Sequence, residues 1–265
     1  MQKTLKALWE GSQFAKENLS FRETAALILE KYSLERDTLL LGKEIPQEIS
    51  EKIISDMKRA VSGEPLGYIL GKVPFYKEEY LVGEGVLIPR CDSEVLVEEA
   101  IKRIPEGTRF LDICTGSGCL GISVLKSRPD LTAALLDISP FSERWAKANI
   151  EYHGVSDRCT FEHFDLMKEV PPKASAIIMN PPYITTEEMN TLPENVKKEP
   201  SLALFGGDDG LDFYRRIKSL ELKDTLLIFE IGAGQGEALK TLFHGGEIIK
   251  DLSNNNRVFI HTNQP

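Results

Sequence analysis

From Arg109 to the end of the chain, short apolar runs alternate with stretches of helical character, and few folds accommodate that alternation. RFLDI at 109–113, TAALLD at 132–137, CTFEHF at 159–164, ASAIIMN at 174–180 and TLLIFEI at 225–231 read as strands. Helical segments are expected between or after them, at 120–127, 139–153, 211–220 and 236–243. Strands apolar at consecutive positions bury both faces, as in a parallel sheet covered by helices on each side. The predicted fold is therefore α/β, a Rossmann-like, doubly wound and mostly parallel sheet. Two final strands, near 247–251 and 257–261, are separated by the turn-rich 253–256, which predicts an antiparallel C-terminal hairpin at the sheet edge.

The first 66 residues read differently, as a small helical bundle. Leu5, Leu8, Trp9 and Ala15 recur at helical spacing. Ser20 and Glu23 have the spacing of a capping box ahead of Ala25, Leu27, Ile28 and Leu29. A third helix is expected from Pro46 to about Val61, ending near Gly63. Such a bundle either recognises a partner or simply supports the main domain. Residues 67–90 are punctuated by Gly67, Gly71, Pro74, Gly83 and Gly85, and the stretches 74–80 and 82–88 predict a β-hairpin linker. Asp92 or Ser93 is expected to cap a helix running to Ile104, which opens the third segment, 91–265.

Charge narrows the possible partners. The chain carries 32 basic and 41 acidic residues, a net charge of −9. Residues 1–63 hold 10 of each, so the excess lies wholly in the remainder. A protein that grips a nucleic-acid backbone usually shows a basic footprint, so no direct nucleic-acid binding is expected. No apolar run approaches the roughly 20 residues needed to span a bilayer, and the first residues lack a signal peptide's apolar core. A cytoplasmic protein without a membrane partner is expected. Cys91, Cys114, Cys119 and Cys159 form no C-x-x-C pair, which argues against a metal site or a disulfide framework.

A glycine loop follows the first strand of the alternating region. Asp112 precedes Cys114, Thr115, Gly116, Ser117 and Gly118, and a helix follows. Gly116 and Gly118 permit a tight turn and close approach of a ligand to backbone. Counted with Gly121 the loop also reads G-x-G-x-x-G, a pattern of dinucleotide sites; a carboxylate at Asp112 would repel a pyrophosphate and suits an ammonium group. Asp137 ends the next strand about 20 residues on, where a carboxylate can accept both ribose hydroxyls. Together these residues favour a nucleoside carrying an amino-acid tail. The bland alternative makes Asp112 a turn cap and Asp137 a helix cap. Asp165, ending the third strand, and Leu166 would flank a purine, the first accepting from its amino group and the second packing on its ring.

The feature with the most chemistry is Asn180-Pro181-Pro182-Tyr183, at the carboxyl end of an apolar strand. Ligands in open α/β sheets bind at such ends. Two prolines fix φ and donate no backbone hydrogen bond. The Asn180 side-chain oxygen and the Pro181 carbonyl can each accept one hydrogen of an NH2 group, and Tyr183 can stack on the flat system bearing it. An amide or aryl amine nitrogen is a poor nucleophile because its lone pair is delocalised. Holding both hydrogens frees that lone pair, and a sulfonium methyl group such as that of S-adenosyl-L-methionine is electrophilic enough to need little beyond positioning.

On these residues the sequence resembles the release factor glutamine N5-methyltransferases of the PrmC/HemK type. The resemblance runs through EPLGYILGKVPFYKEEYLVGEGVLIPRCDSE at 64–94, FLDICTGSGCLGI at 110–122, IIMNPPYI at 177–184, EPSLALFGGDDGLDFYRRI at 199–217 and LLIFEIGAGQG at 226–236. It implies a class I methyltransferase sheet at 91–265, S-adenosyl-L-methionine as cofactor, and an N-terminal helical domain that helps recognise a peptide-chain release factor. The implied reaction is N5-methylation of the glutamine in that factor's G-G-Q motif. By position, residues 114–118, Asp137 and Leu166 would line the cofactor pocket. Asn180 would stand between cofactor and substrate, with Pro181, Pro182 and Tyr183 holding the glutamine amide. Cys91 and Ser93 depart from the family's usual proline and threonine. The N-P-P-Y motif is shared with nucleic-acid exocyclic amino methyltransferases, which form the main alternative. An NAD-dependent oxidoreductase and a catalytically silent binding module are the others.

Overall fold

The computed structural model describes residues 20–35 and 44–262. The expected helix around Leu5 to Ala15 and the side chains of the Ser20 to Glu23 capping box lie outside that description. The chain divides into two compact units, Met1–Lys72 with Glu194–Lys198, and Val73–Pro193 with Glu199–Pro265.

In the smaller unit α1 (Ser20–Lys31), α2 (Gln47–Val61) and the short α3 (Leu66–Leu70) bury Ile28, Leu29, Ile53, Met57 and Ile69 together. The turn α3 falls in a stretch expected to be hairpin; Pro65 at its N-cap and Gly71 in the left-handed region at its end bound a single helical turn. Asp56, on α2, is almost wholly buried and accepts from Lys31 Nζ at 2.7 Å, Tyr32 OH at 2.8 Å and Arg59 Nη1 at 3.0 Å. Burial alone would raise its pKa, but the bonds from Lys31, Tyr32 and Arg59 outweigh it and hold the carboxyl below its usual range. Its stabilisation is therefore complete at neutral pH and lost as pH falls through that lowered value. Asp56→Ala strands two cations and a phenol around an apolar side chain. It is expected to cost about 2–4 kcal/mol at pH 7, and the difference from wild type should shrink by pH 3. Thermal melts of the full chain at both pH values check this.

The hairpin is β1 (Lys72–Phe75) and β2 (Glu78–Leu81), turning at Tyr76 and Lys77; all of it but Lys72 belongs to the larger unit. The expected second strand at 82–88 is instead irregular chain. Gly83 and Gly85 are needed there because an added Cβ would stand 2.2 Å from Trp145 and 2.2 Å from Phe141, respectively.

Seven strands follow: β3 (Arg109–Ile113), β4 (Thr132–Asp137), β5 (Cys159–His163), β6 (Ala176–Met179), β7 (Leu226–Glu230), β8 (Glu247–Lys250) and β9 (Asn256–Thr262). They form one sheet in the order β5-β4-β3-β6-β7-β9-β8. The pairs from β5 through β7 are parallel. β9 runs antiparallel between β7 and β8, so the C-terminal hairpin is present with its first strand at the edge.

Alternate residues serve two cores. Phe110, Leu135, Ile178 and Ile228 face one side, where α4 (Glu94–Arg103), α5 (Cys119–Ser127) and α6 (Pro140–Tyr152) pack. Leu111, Leu136, Ile177 and Phe229 face the other. Beyond α7 (Thr186–Thr191), that second face is covered by α8 (Asp212–Ser219) and α9 (Gly236–Phe243), which contribute Tyr214, Ile217, Leu239 and Phe243. Each fully buried aliphatic or aromatic side chain stabilises the fold by about 1.5–3 kcal/mol. The chain leaves β3 toward β4 and β5, then returns to place β6 on the opposite side of β3. That reversal opens a crevice at the carboxyl ends of β3 and β6. Among the described residues no helix is long and apolar enough to cross a membrane.

Candidate active site

The glycine loop leaves β3 at this crevice, and its shape is set by carboxylates behind it. Asp112 is fully buried; its Oδ2 accepts from Thr115 Oγ1 at 2.6 Å and from Gly121 N at 2.9 Å, while its Oδ1 has no partner. Gly121 has no room for a side chain, since a Cβ would lie 2.5 Å from Leu135 Cδ2. Cys114 takes a left-handed φ of 59°, unusual for a residue with a side chain. Gly116 and Gly118 follow with φ of 57° and 82°, and only open space would face a Cβ on Gly116. Asn149, fully buried on α6, donates to Ser117 O and to Leu81 O, each at 2.9 Å, and so ties the loop to β2.

Asp137, half-buried at the end of β4, accepts from Gly116 N and Ser139 N, each at 2.9 Å. The cap of α6 is Ser139, whose hydroxyl accepts from Phe141 N and Ser142 N, with Pro140 in the first turn. Burial raises the Asp137 carboxyl. It also pushes the Cys114 thiol well up and that of Cys119 to about 12. Neither thiol supplies a thiolate at neutral pH.

Burial raises Asp112 further, to about 7, against the bonds from Thr115 and Gly121. A raised folded-state pKa contributes stability that is complete below the ordinary carboxylate range and lost as pH rises through about 7. Asp112→Asn keeps an acceptor oxygen without the charge. Its loss of stability between about pH 5 and pH 8 is expected to be smaller than wild type's by roughly 1–3 kcal/mol. Urea midpoints at the two pH values decide it, and parallel behaviour of the two proteins would refute it.

Asn180 lies one residue past β6 and Glu230 ends β7, adjacent strands whose last register pair is Met179 with Phe229. By strand alternation Asp112, Asn180 and Glu230 point to the same side of the sheet. Asn180 is half-buried, and its Nδ2 donates to Ser93 Oγ at 3.4 Å. Contrary to the expectation that Asp92 or Ser93 would cap α4, Ser93 makes no side-chain cap; a 3₁₀ turn at Cys91–Ser93 leads into the helix, and the hydroxyl meets Asn180 instead. Tyr183 OH donates to Glu230 Oε1 at 3.3 Å. Burial, with the Glu230 charge adding to it, pushes the Tyr183 phenol above its usual range, so it stays a donor. Glu230 is fully buried with Oε2 unpartnered. Burial raises its carboxyl, opposed by Ser93, Arg257 and Tyr183. An unsatisfied buried acceptor costs about 1–3 kcal/mol, which marks this spot as one where stability is not the only demand.

The backbone of the N-P-P-Y segment is clamped from outside the motif. Ile184 bridges Phe205, with Ile184 N bonding Leu204 O and Gly206 N bonding Ile184 O, each at 2.9 Å. Gln235 Nε2 donates to Tyr183 O and to Gly210 O, each at 3.1 Å, and its Oε1 accepts from Gly232 N at 2.9 Å. Glu199 is buried, accepting from Ile88 N at 3.0 Å and pairing with Arg90, which fixes the chain ahead of Ser93.

The crevice thus brings together residues 114–118, Asp137 and residues 180–183. Asp165 stands apart in its interactions: its carboxylate accepts from Met167 N at 3.0 Å and pairs with Lys168 at 2.9 Å, which hold it below its usual range. Leu166 is buried in the second core, and its carbonyl accepts from Arg216 Nε at 2.8 Å. Ser93 was read from sequence only as a helix cap and a departure from the family pattern, and Glu199, Gly206, Gly210, Glu230 and Gln235 were not singled out. Their only signal was membership of the three blocks at 64–94, 199–217 and 226–236.

Known proteins resemble this chain in sequence and in fold. The methyltransferase small domain family matches residues 91–199. A release factor glutamine methyltransferase of Thermodesulfovibrio yellowstonii is 35% identical over 261 residues, covering 92% of each chain. One of Clostridium acetobutylicum is 34% identical over 252 residues, covering 88% of each. Among solved structures, the hMettl16 catalytic domain in complex with a 3'UTR hairpin shares the fold, with a TM-score of 0.54 and 17% identity over 69% of this chain and 75% of that one.

Proposed function

The chain belongs to the release factor glutamine methyltransferases, and from that premise we propose that it methylates N5 of the glutamine in the G-G-Q motif of a peptide-chain release factor. The observation that carries the reading is the orientation of Asn180: its amide nitrogen donates one hydrogen to Ser93 at 3.4 Å, and its oxygen is the atom not engaged by that contact. That oxygen and the Pro181 carbonyl take the two hydrogens of the glutamine NH2. The grip opposes delocalisation of the lone pair and aims it toward the loop after β3. Tyr183 packs on the amide plane while its hydroxyl is held by Glu230. Both prolines are buried, which keeps the acceptors rigid.

The residues present fit S-adenosyl-L-methionine. Gly116 leaves open space at the loop, and Asp137 is partly exposed where a ribose would lie. When bound, that cofactor supplies an electrophilic methyl group on a sulfonium sulfur. Residues 114–118 would hold its methionine end and Asp137 its ribose. Asp165 and Leu166 would border the adenine, with Asp165 exchanging Lys168 for the base. Asp112 shapes the loop from beneath. We assign segment 1–66 to release-factor recognition, 67–90 to the linking hairpin region and 91–265 to methyl transfer. The reading also puts the protein in the cytoplasm, with its substrate.

Methyl-labelled S-adenosyl-L-methionine, offered with release factor, its glutamine-to-alanine variant, DNA or RNA, tests the proposal. Label is expected on the intact release factor alone. Label on DNA or RNA would favour the exocyclic amino methyltransferase reading, against which the net charge of −9 argues.

A further inference from the structure

Behind the N-P-P-Y segment lies a buried polar chain built on Ser93, Glu230 and Tyr214. Ser93 is 3% exposed, at the end of the 3₁₀ turn that leads into α4. Its oxygen receives Asn180 Nδ2 at 3.4 Å. The Glu230 carboxyl, whose Oε2 makes no hydrogen bond of ordinary geometry, is near enough for the Ser93 hydroxyl to favour its charged form. Glu230 is 2% exposed; its Oε1 accepts from Tyr183 OH at 3.3 Å, and its backbone carbonyl accepts from Tyr214 OH at 2.7 Å. Arg257, bonded to Asp251 and Asp92, supplies the nearby positive charge.

A serine hydroxyl has one proton to give. Given to a carboxylate, it leaves the oxygen as an acceptor only, and the Asn180 side chain then has one favourable orientation, nitrogen inward and oxygen outward. With the carboxylate gone, the hydroxyl is free to donate to Asn180, and the amide can turn its NH2 toward the substrate. Two NH2 groups would then face each other, and the grip on the substrate's hydrogens would fail. The same carboxyl holds the Tyr183 hydroxyl, so both ends of the motif are oriented by one buried group.

We propose that Glu230 and Ser93 are positioning residues that fix the polarity of the Asn180 amide and the placement of Tyr183, without touching substrate or cofactor. The proposal rests on the reading of Asn180 as an acceptor for the substrate NH2.

The test uses the full chain with release factor as substrate and saturating cofactor. The variants are Ser93→Ala, Ser93→Thr, Glu230→Gln and the double variant of Ser93→Ala with Glu230→Gln. Turnover is expected to fall on the order of tenfold or more for Ser93→Ala and Glu230→Gln. The Kd for S-adenosyl-L-methionine, by calorimetry, should stay within about twofold. Ser93→Thr keeps the hydroxyl and should keep turnover within about threefold of wild type. Because both residues act through one amide, the double variant should be little slower than the slower single one.

Turnover within about twofold of wild type in both single variants would overturn the proposal, as would Ser93→Thr falling as far as Ser93→Ala, or a double variant with multiplied losses. If Glu230→Gln does not fold, the Ser93 pair decides alone. A wild-type protein that fails to label release factor would instead sink the functional reading.

Discussion

Asn180→Ala is expected to lower turnover by about 10²–10³-fold, with the Kd for S-adenosyl-L-methionine changed by less than about threefold. The size follows from what the side chain does. A glutamine amide nitrogen keeps its lone pair in the π system unless its hydrogens are drawn out of plane. Two acceptors are proposed to do this, and alanine removes one of them at the point where charge develops. Removing a single preorganised hydrogen-bonding partner of this kind typically costs about 3–4 kcal/mol of transition-state stabilisation. Cofactor binding should be spared because the loop at 114–118 and Asp137 are held by other bonds, from Asp112, Asn149 and Ser139. The truncation also leaves Ser93 without its Asn180 donor, in a region whose stability rests mainly on the two cores. Steady-state kinetics with release factor, alongside calorimetric titration of the cofactor, separate the two quantities. A turnover within about threefold of wild type would remove Asn180 from the chemistry.

The strands that build this crevice were legible because burial on both faces writes itself into consecutive apolar residues. RFLDI and TAALLD end where the structure ends β3 and β4. The carboxylates Asp112 and Asp137 stood out for the same reason, as charges set at the ends of apolar runs. The hairpin was less legible. Its turn at Tyr76 and Lys77 contains no glycine, and Tyr76 takes a φ of 56° that favours one. Gly83 and Gly85, inside the stretch expected to be its second strand, make room for Trp145 and Phe141 instead. Ser93 looked like a cap because serine before a helical run usually is one; its inward hydroxyl depends on Asn180 and Glu230, residues distant in sequence. Gln235 and Gly206 were illegible for the same cause. Their partners are backbone atoms of the 182–184 segment, and backbone contacts leave no pattern in sequence. The block at 199–217 resembled the family strongly, yet only the folded chain joins it to Tyr183 and Ile184.

That connection makes Gly206 a sharp test, because it lies far along the chain from the N-P-P-Y segment and carries no chemistry itself. A Cβ at Gly206 would stand 2.5 Å from Pro182 O and 2.7 Å from Tyr183 Cα. Both are backbone atoms, so neither can swing aside as a side-chain tip would. The neighbouring bonds, Gly206 N to Ile184 O and Ile184 N to Leu204 O, lock the two segments in register. Gly206→Ala must therefore break that bridge or push residues 182–184 toward the crevice. Overpacking of this kind costs about 1–3 kcal/mol of stability. The larger effect is expected on turnover, because a displacement approaching 1 Å at a reacting centre costs about 10²-fold. Turnover should fall by about 10–100-fold, while cofactor affinity, proposed to be set on the β3 and β4 side of the crevice, stays within about threefold. Measurement well below the melting temperature keeps the stability loss out of the rate. If turnover holds within about twofold while the melting temperature drops, the 204–210 segment supports the fold without aiming Asn180 and Tyr183.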